Sequence, residues 1–376
     1  MQEKRFQNRI RLFTYALTIL VIWVHSVNLT PELSFSGSAL CRSAYALERF
    51  FTDTLGQTAV PGFFMVSAYL FFRKLPGGTD LCLSPGWVLQ KWKRRFFSLL
   101  LPFVLWNLLY YLLHLLAGGA ELLLGLPRTE QVPFDLRTVF SAAFLYTYNP
   151  VFWYLYQLIL LTLLAPFLFY LVRGRKTGFL FLLLSFFSAV FWERIPFHLV
   201  NEDALFYYLL GLYGSLHKKE LMETGKHADR ALLVMIVLLI LWGIIFQAGI
   251  LPAGLLTLPE AVIARSVSFR AVVPLLLYFL LTRLTEQGTG KLPGFMEISF
   301  FIYATHYLVV KTVNRLMTAV LSVSPTEGAS LPNGGILLLL LTYFLLPIIC
   351  TAAAYVGSRV MKRRVPGVWK LLSGGR

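Results

Sequence analysis

Two histidines, His25 and His306, stand inside apolar stretches long enough to cross a bilayer. An imidazole in hydrocarbon is costly unless it faces a partner or a polar cavity, so chemistry is expected first at these two positions. His25 follows Arg11 by fourteen positions, about 21 Å of helical rise, which puts it in the outer part of the membrane. Trp23, Val24, Val27 and Leu29 offer it no proton partner, although Ser26 and Asn28 follow. Two readings stand for it: an interfacial histidine at the edge of a span, or a general base or acyl-accepting imidazole. His306 lies near mid-depth of a later span, with Tyr303 one turn before it on the same helical face and able to orient the ring. An inert, hydrogen-bonded core histidine and a catalytic one are both compatible with that position.

The cations divide into two kinds. Arg265 and Arg270 enter the eighth apolar run from the outside, and Lys311 and Arg315 lie toward the outer end of the ninth. Snorkelling to the interface explains those near span ends. Arg270 is deeper and is expected to face the bundle interior, neutralising a carboxylate such as Glu193 or an anionic ligand. The cluster Lys91-Trp92-Lys93-Arg94-Arg95 precedes the third run. It serves as a topology anchor touching anionic lipid, or as a phosphate-binding patch for a co-substrate. There is no Gly-rich phosphate loop, no His-Glu-x-x-His and no Gly-x-Ser-x-Gly, which disfavours ATP hydrolysis and zinc proteolysis. Cys41, Cys82 and Cys350 are too scattered for a disulfide framework or a metal site.

The elements that must hold these residues are membrane helices. The 376 residues are 57% hydrophobic and only 14% charged, too little polar surface for a soluble chain of this length. Apolar runs near 12–29, 55–72, 96–116, 151–172, 178–192, 204–216, 231–251, 261–282, 295–317 and 335–358 predict an all-α, polytopic bundle of about ten spans. The fifth and sixth runs are short and separated by a polar turn. The net charge of +16 comes in short clusters between runs, which read as topology signals and not as a nucleic-acid surface. With both termini in the cytoplasm, only Arg42, Arg49, Arg128, Arg137 and Arg194 fall in outer segments, as the positive-inside rule requires. The run after Lys4–Arg11 starts like a signal peptide but lacks a small-x-small site and continues toward Leu29, so it is expected to be retained. A single membrane domain over 1–376 is expected, with loops near 30–54 and 117–150, a short surface helix around Asp135–Leu145, and no extracytoplasmic domain after the last span.

Taken in order, several segments resemble the membrane-bound acyltransferase 3 family of bacterial proteins, which move acyl groups onto sugars and other envelope acceptors. Val21-Ile-Trp-Val-His25 is similar to its opening span, and Pro61-Gly-Phe-Phe-Met-Val-Ser-Ala-Tyr69-Leu70 to its Phe-Phe-x-x-Ser-Gly-Tyr-Leu segment. Arg95 through Leu101-Pro-Phe-Val-Leu-Trp106 resembles the third span, Phe152-Trp-Tyr-Leu155 a Trp-Phe-Leu segment, and Ser299-Phe-Phe-Ile-Tyr303-Ala-Thr-His306 a late tyrosine-histidine span. Thr14 stands where the family pattern has an arginine, Ser98 where an arginine recurs, and Ala68 where it has glycine. The two arginine replacements remove anion-binding charge and bear on donor binding.

The resemblance implies an acyltransferase of the bacterial plasma membrane with His25 as the catalytic residue. With the residue reading above, it assigns donor or substrate binding to His306, Tyr303, Arg270, Arg265, Lys91, Arg94, Arg95, Trp153 and Tyr154. No cofactor or metal is expected. Acyl-CoA is the implied co-substrate, carrying acetyl or succinyl, and the implied acceptor is a hydroxyl of an envelope glycan or lipid-linked sugar. The alternative is a non-catalytic member, or a transporter or binding protein for an envelope glycan precursor.

Overall fold

The computed structural model describes residues 2–31, 38–75, 82–123, 132–191, 199–247, 252–286, 292–321 and 331–375. Every regular element among them is helical. The chain forms two compact units, Met1–Asp80 with Phe169–Gly357, and Leu81–Leu168 with Ser358–Arg376.

The first unit begins with α1 (Gln2–His25) and continues with α2, an unbroken helical run over Ala39–Phe72. Ser38 caps α2 by accepting from the Cys41 N–H, so the segment expected as a loop over 30–54 is largely helix. Its charges Arg42, Glu48, Arg49 and Asp53 hid the helix from a search for apolar runs. A π-helical turn at Phe50–Leu55 and a 3₁₀ turn at Gly56–Thr58 interrupt its regularity. Later come α6 (Arg175–Phe191), α7 (Glu202–His217), α8 (Lys219–Thr224), α9 (Ala228–Phe246), α10 (Pro259–Glu286), α11 (Ser299–Leu321) and α12 (Asn333–Arg364), whose last turns belong to the second unit.

The core of this unit is the crossing of α7 on α2. Gly211 makes it possible: a Cβ there would stand 2.1 Å from the Met65 carbonyl oxygen, so the two backbones touch. Tyr207 and Tyr208 on α7, Phe64 on α2, and Leu17 and Ile22 on α1 are fully buried. α1 packs on α2, α10 and α11, which brings the two ends of the chain's apolar pattern side by side.

In the second unit, α3 runs from Pro85–Arg95 through a π-helical turn at Phe96–Leu100 into Leu101–Leu123. Asp135 caps α4 (Leu136–Phe144), in agreement with the surface helix expected there. α5 (Trp153–Val172) and α13 (Pro366–Leu372) complete it, the latter held by the Trp106 indole N–H donating to the Leu372 carbonyl at 3.0 Å.

Over its described residues each of the ten apolar runs lies mainly on a helix. Six of these, α2, α3, α5, α9, α10 and α12, are long and apolar enough to cross a membrane. α6 and α7, at 17 and 16 residues, fall short of the roughly 20 that hydrocarbon demands. α1 and α11 are long enough but carry more polar side chains, among them the two histidines. The chain is a multi-pass membrane protein in its helical composition.

Candidate active site

His25 is the last residue of α1 and is half-buried. The helix stops there because the chain turns, with the Ser26 N–H donating to the Trp23 carbonyl at 3.2 Å. The Ser26 hydroxyl donates to the Ile22 carbonyl at 2.7 Å and leaves the imidazole alone. His306, on α11, is fully buried. The two rings meet with centroids 5.3 Å apart and planes inclined at 45°. Tyr307 presents an edge to His25 at 5.6 Å, and the Lys311 ammonium lies 5.3 Å from the Tyr307 ring centre.

Tyr303 orients His306 as its spacing suggested, but chiefly through the backbone. The His306 Nδ1 lies 2.5 Å from the Tyr303 carbonyl oxygen. An oxygen acceptor requires a proton on Nδ1, which leaves Nε2 with its lone pair free. Nε2 is buried and has no hydrogen-bond partner among the described residues. The Cys350 thiol donates to the His306 carbonyl at 3.9 Å.

A polar cluster that sequence reasoning missed lies next to the pair. Glu48 of α2 is wholly buried, and one carboxylate oxygen accepts from the N–H groups of Asn28 and Leu29, each at 3.3 Å. The Asn28 amide donates to the Leu339 carbonyl at 3.0 Å, and the Asn314 amide of α11 donates to the Val27 carbonyl at 3.3 Å. Thr52 bonds the Trp23 carbonyl at 3.1 Å and the Tyr343 hydroxyl at 2.9 Å. The second Glu48 oxygen, the Asn28 and Asn314 carbonyl oxygens and the Trp23 indole N–H are buried without hydrogen-bond partners among the described residues. Glu48 is one of two acids in the charged first half of α2, and the assignment of 30–54 as loop concealed its burial.

The other predicted site residues are distributed elsewhere. Arg265 and Arg270 lie on α10, in the same unit as the histidines, but neither guanidinium bonds either ring. Arg270 makes no ion pair among the described residues, and its expected partner Glu193 lies outside them. The Arg265 backbone carbonyl accepts from the Trp242 indole at 3.0 Å. Lys91, Arg94, Arg95, Trp153 and Tyr154 belong to the second unit. There the Lys91 ammonium sits 5.0 Å from the Trp87 ring centre, and Tyr154 is buried.

At the far end of α1, Arg73 fastens the helix to α2 and α8. Its guanidinium bonds both Glu3 oxygens and both Glu223 oxygens and lies 3.9 Å from the centre of the Phe6 ring. The charge-assisted bond from Arg73 holds the Glu3 carboxyl down to about 2. Arg9, read from sequence as a topology signal, is buried and donates to the Glu223 carbonyl.

Among the described residues no group of three or more His, Cys, Asp or Glu could hold a metal ion. Comparison with curated proteins and with solved structures finds no match. A family model described as an acyltransferase domain matches residues 15–358, which takes in α1 from its second half, both histidines and most of α12. The ordered motifs, the helical membrane architecture and that match over most of the chain agree: the protein belongs to the membrane-bound acyltransferase 3 family.

Proposed function

We propose that this protein transfers an acyl group, acetyl or succinyl, from acyl-CoA to a hydroxyl of an envelope glycan or lipid-linked sugar. It does so as a ten-span protein of the bacterial plasma membrane with both termini in the cytoplasm. The observation that carries the proposal is the meeting of His25 and His306, contributed by helices from opposite ends of the chain. Burying two imidazoles against each other in an apolar bundle is costly for folding alone. A fixed tautomer on one and partial exposure of the other suit proton transfer.

His25, at the end of α1 and partly exposed, is the base. It takes the proton of the acceptor hydroxyl as that oxygen attacks the thioester carbonyl carbon. The carbon–sulfur bond then breaks, and the leaving CoA sulfur receives the proton back from the imidazolium. His306 contributes its Nε2 lone pair, directed by the Nδ1 bond to Tyr303, to hold the His25 ring or the acceptor hydroxyl in place. A positioned imidazole base contributes about 10²- to 10⁴-fold to such a step.

The buried, partly unpartnered oxygens of Asn28, Glu48 and Asn314 support a second reading, a protein that binds a polyhydroxylated envelope precursor without acylating it. Incubation of the purified protein with labelled acetyl-CoA and succinyl-CoA separates the two. Released CoA that depends on His25 supports transfer. No turnover of either donor by a folded, membrane-inserted protein shifts the assignment to binding.

A further inference from the structure

Gly211 and Gly214 stand one turn apart on α7 and meet different surroundings. At Gly211 the α2 backbone leaves no room, whereas a Cβ at Gly214 would find only the Tyr69 Cδ2 within 4 Å, at 3.9 Å. Gly214 opens on a cavity of about 200 Å³ inside the first unit, walled by Ile10 and Phe13 of α1, Met65 of α2, Leu210 of α7 and Leu275 of α10. Tyr69, Tyr213 and Tyr278 also line it, but their hydroxyls are engaged elsewhere. They donate to the Glu223 carboxylate at 3.2 Å, the Arg175 carbonyl at 3.4 Å and the Met222 carbonyl at 2.5 Å. Only the rings are left to the cavity, and its lining is almost wholly apolar. Lys218, just before α8, is the one cation among the described residues that line it. It is exposed and makes no ion pair among the described residues, since the nearby acids Glu220 and Glu223 are held by Lys226 and Arg73.

An apolar cavity left empty in a close-packed bundle is destabilising, and water needs polar partners that these walls lack. We propose that the cavity holds the hydrocarbon chain of a medium-chain fatty acid, with its carboxylate at Lys218. An apolar cavity of roughly 150 Å³ accommodates a six-carbon ring, so about eight carbons of a single chain fit here and the two chains of a phospholipid do not. One lysine matches the single charge of a carboxylate, whereas a phosphate monoester carries close to two. Phe13 precedes His25 by twelve residues on α1, about 18 Å of helical rise. The bound chain therefore lies away from the imidazole pair, and the site is independent of the acyl transfer proposed there.

The test is native mass spectrometry of the delipidated, detergent-solubilised protein, titrated with fatty acids of about six to fourteen carbons. Each buried methylene contributes about fourfold, so affinity should rise steeply with chain length to about eight to ten carbons and then level. Decanol should bind about fivefold more weakly than decanoate, and Lys218→Gln should remove that difference. Gly214→Leu, which grows into the cavity, should weaken binding of every chain by about tenfold or more. Leu275→Trp narrows the same space from α10 and provides a second variant if the first does not fold. Lys219→Gln, a neighbouring cation outside the lining, should change nothing. Absence of saturable binding by the wild type, an affinity that climbs with chain length without levelling, or equal binding of decanol and decanoate overturns the proposal. So does wild-type affinity in a folded Gly214→Leu protein, or a Lys218-dependent preference for decyl phosphate over decanoate, which would assign the site to a lipid phosphate.

Discussion

One Glu48 carboxylate oxygen accepts from the Asn28 backbone N–H at 3.3 Å and from its neighbour Leu29 at the same distance. A buried acid on α2 therefore fixes the turn that leaves His25, three residues upstream of Asn28. Glu48→Ala strips two buried N–H groups of their acceptor and should cost about 1–3 kcal/mol. Glu48→Gln keeps an acceptor oxygen there and should cost less. Thermal unfolding in detergent measures both, and equal melting of the alanine variant and the wild type would remove Glu48 from this role.

Replacing His25 by alanine should lower acyl transfer by about 10²- to 10⁴-fold with little change in melting temperature. His306→Gln retains a hydrogen-bonding group but loses the oriented Nε2 lone pair, and an intermediate loss is expected. CoA release against time reports the rates. Wild-type turnover in His25→Ala contradicts the mechanism.

The Arg73 cluster predicts an acid limb in stability. The Glu3 carboxyl is depressed from 4.5 to about 2 in the folded protein, so its contribution is complete above pH 4.5 and is lost as the pH falls toward 2. Glu3 is more than half exposed, and solvent screening keeps that contribution small. Arg73→Ala should reduce the pH dependence in that window, leaving the smaller part that the Gln7 bond to Glu3 supplies. It should also destabilise the protein by about 3 kcal/mol at neutral pH, because the largely buried Glu223 carboxylate loses its cation. Melting temperatures between pH 2 and 7 for both proteins check the two effects together.

Gly211→Ala should destabilise by about 1–3 kcal/mol, since the added methyl meets Met65 backbone that cannot move aside. Gly243 on α9 has nothing within 4 Å of a built Cβ, and alanine there should be neutral or slightly stabilising. A comparison of the two unfolding curves separates a packing effect from a general intolerance of helix substitutions.

Much of the helical plan was legible because hydrocarbon imposes length and apolarity on each element, and both are visible in composition. His25 and His306 were legible for the same reason, as titratable side chains where few are tolerated. What escaped was amphipathic structure. The first half of α2 alternates charge with small and aromatic residues, so neither its helicity nor the burial of Glu48 follows from hydropathy. Asn28 and Asn314 escaped because their role depends on a contact between α11 and the turn after α1, which no local pattern encodes. Tyr303 was read from its spacing as able to orient His306 from the same helical face, whereas the bonding atom is its backbone carbonyl, which that spacing does not distinguish from the ring.

The bond from Asn314 to the Val27 carbonyl gives α11 two separate grips on the end of α1: one imidazole against another, and, two turns farther along, an amide against the chain just past His25. Two points of attachment define a lever arm, so sliding α11 along its axis carries the turn after α1 with it and keeps the imidazoles in step. The imidazole pair and the turn after α1 are thereby held to α11 as one piece.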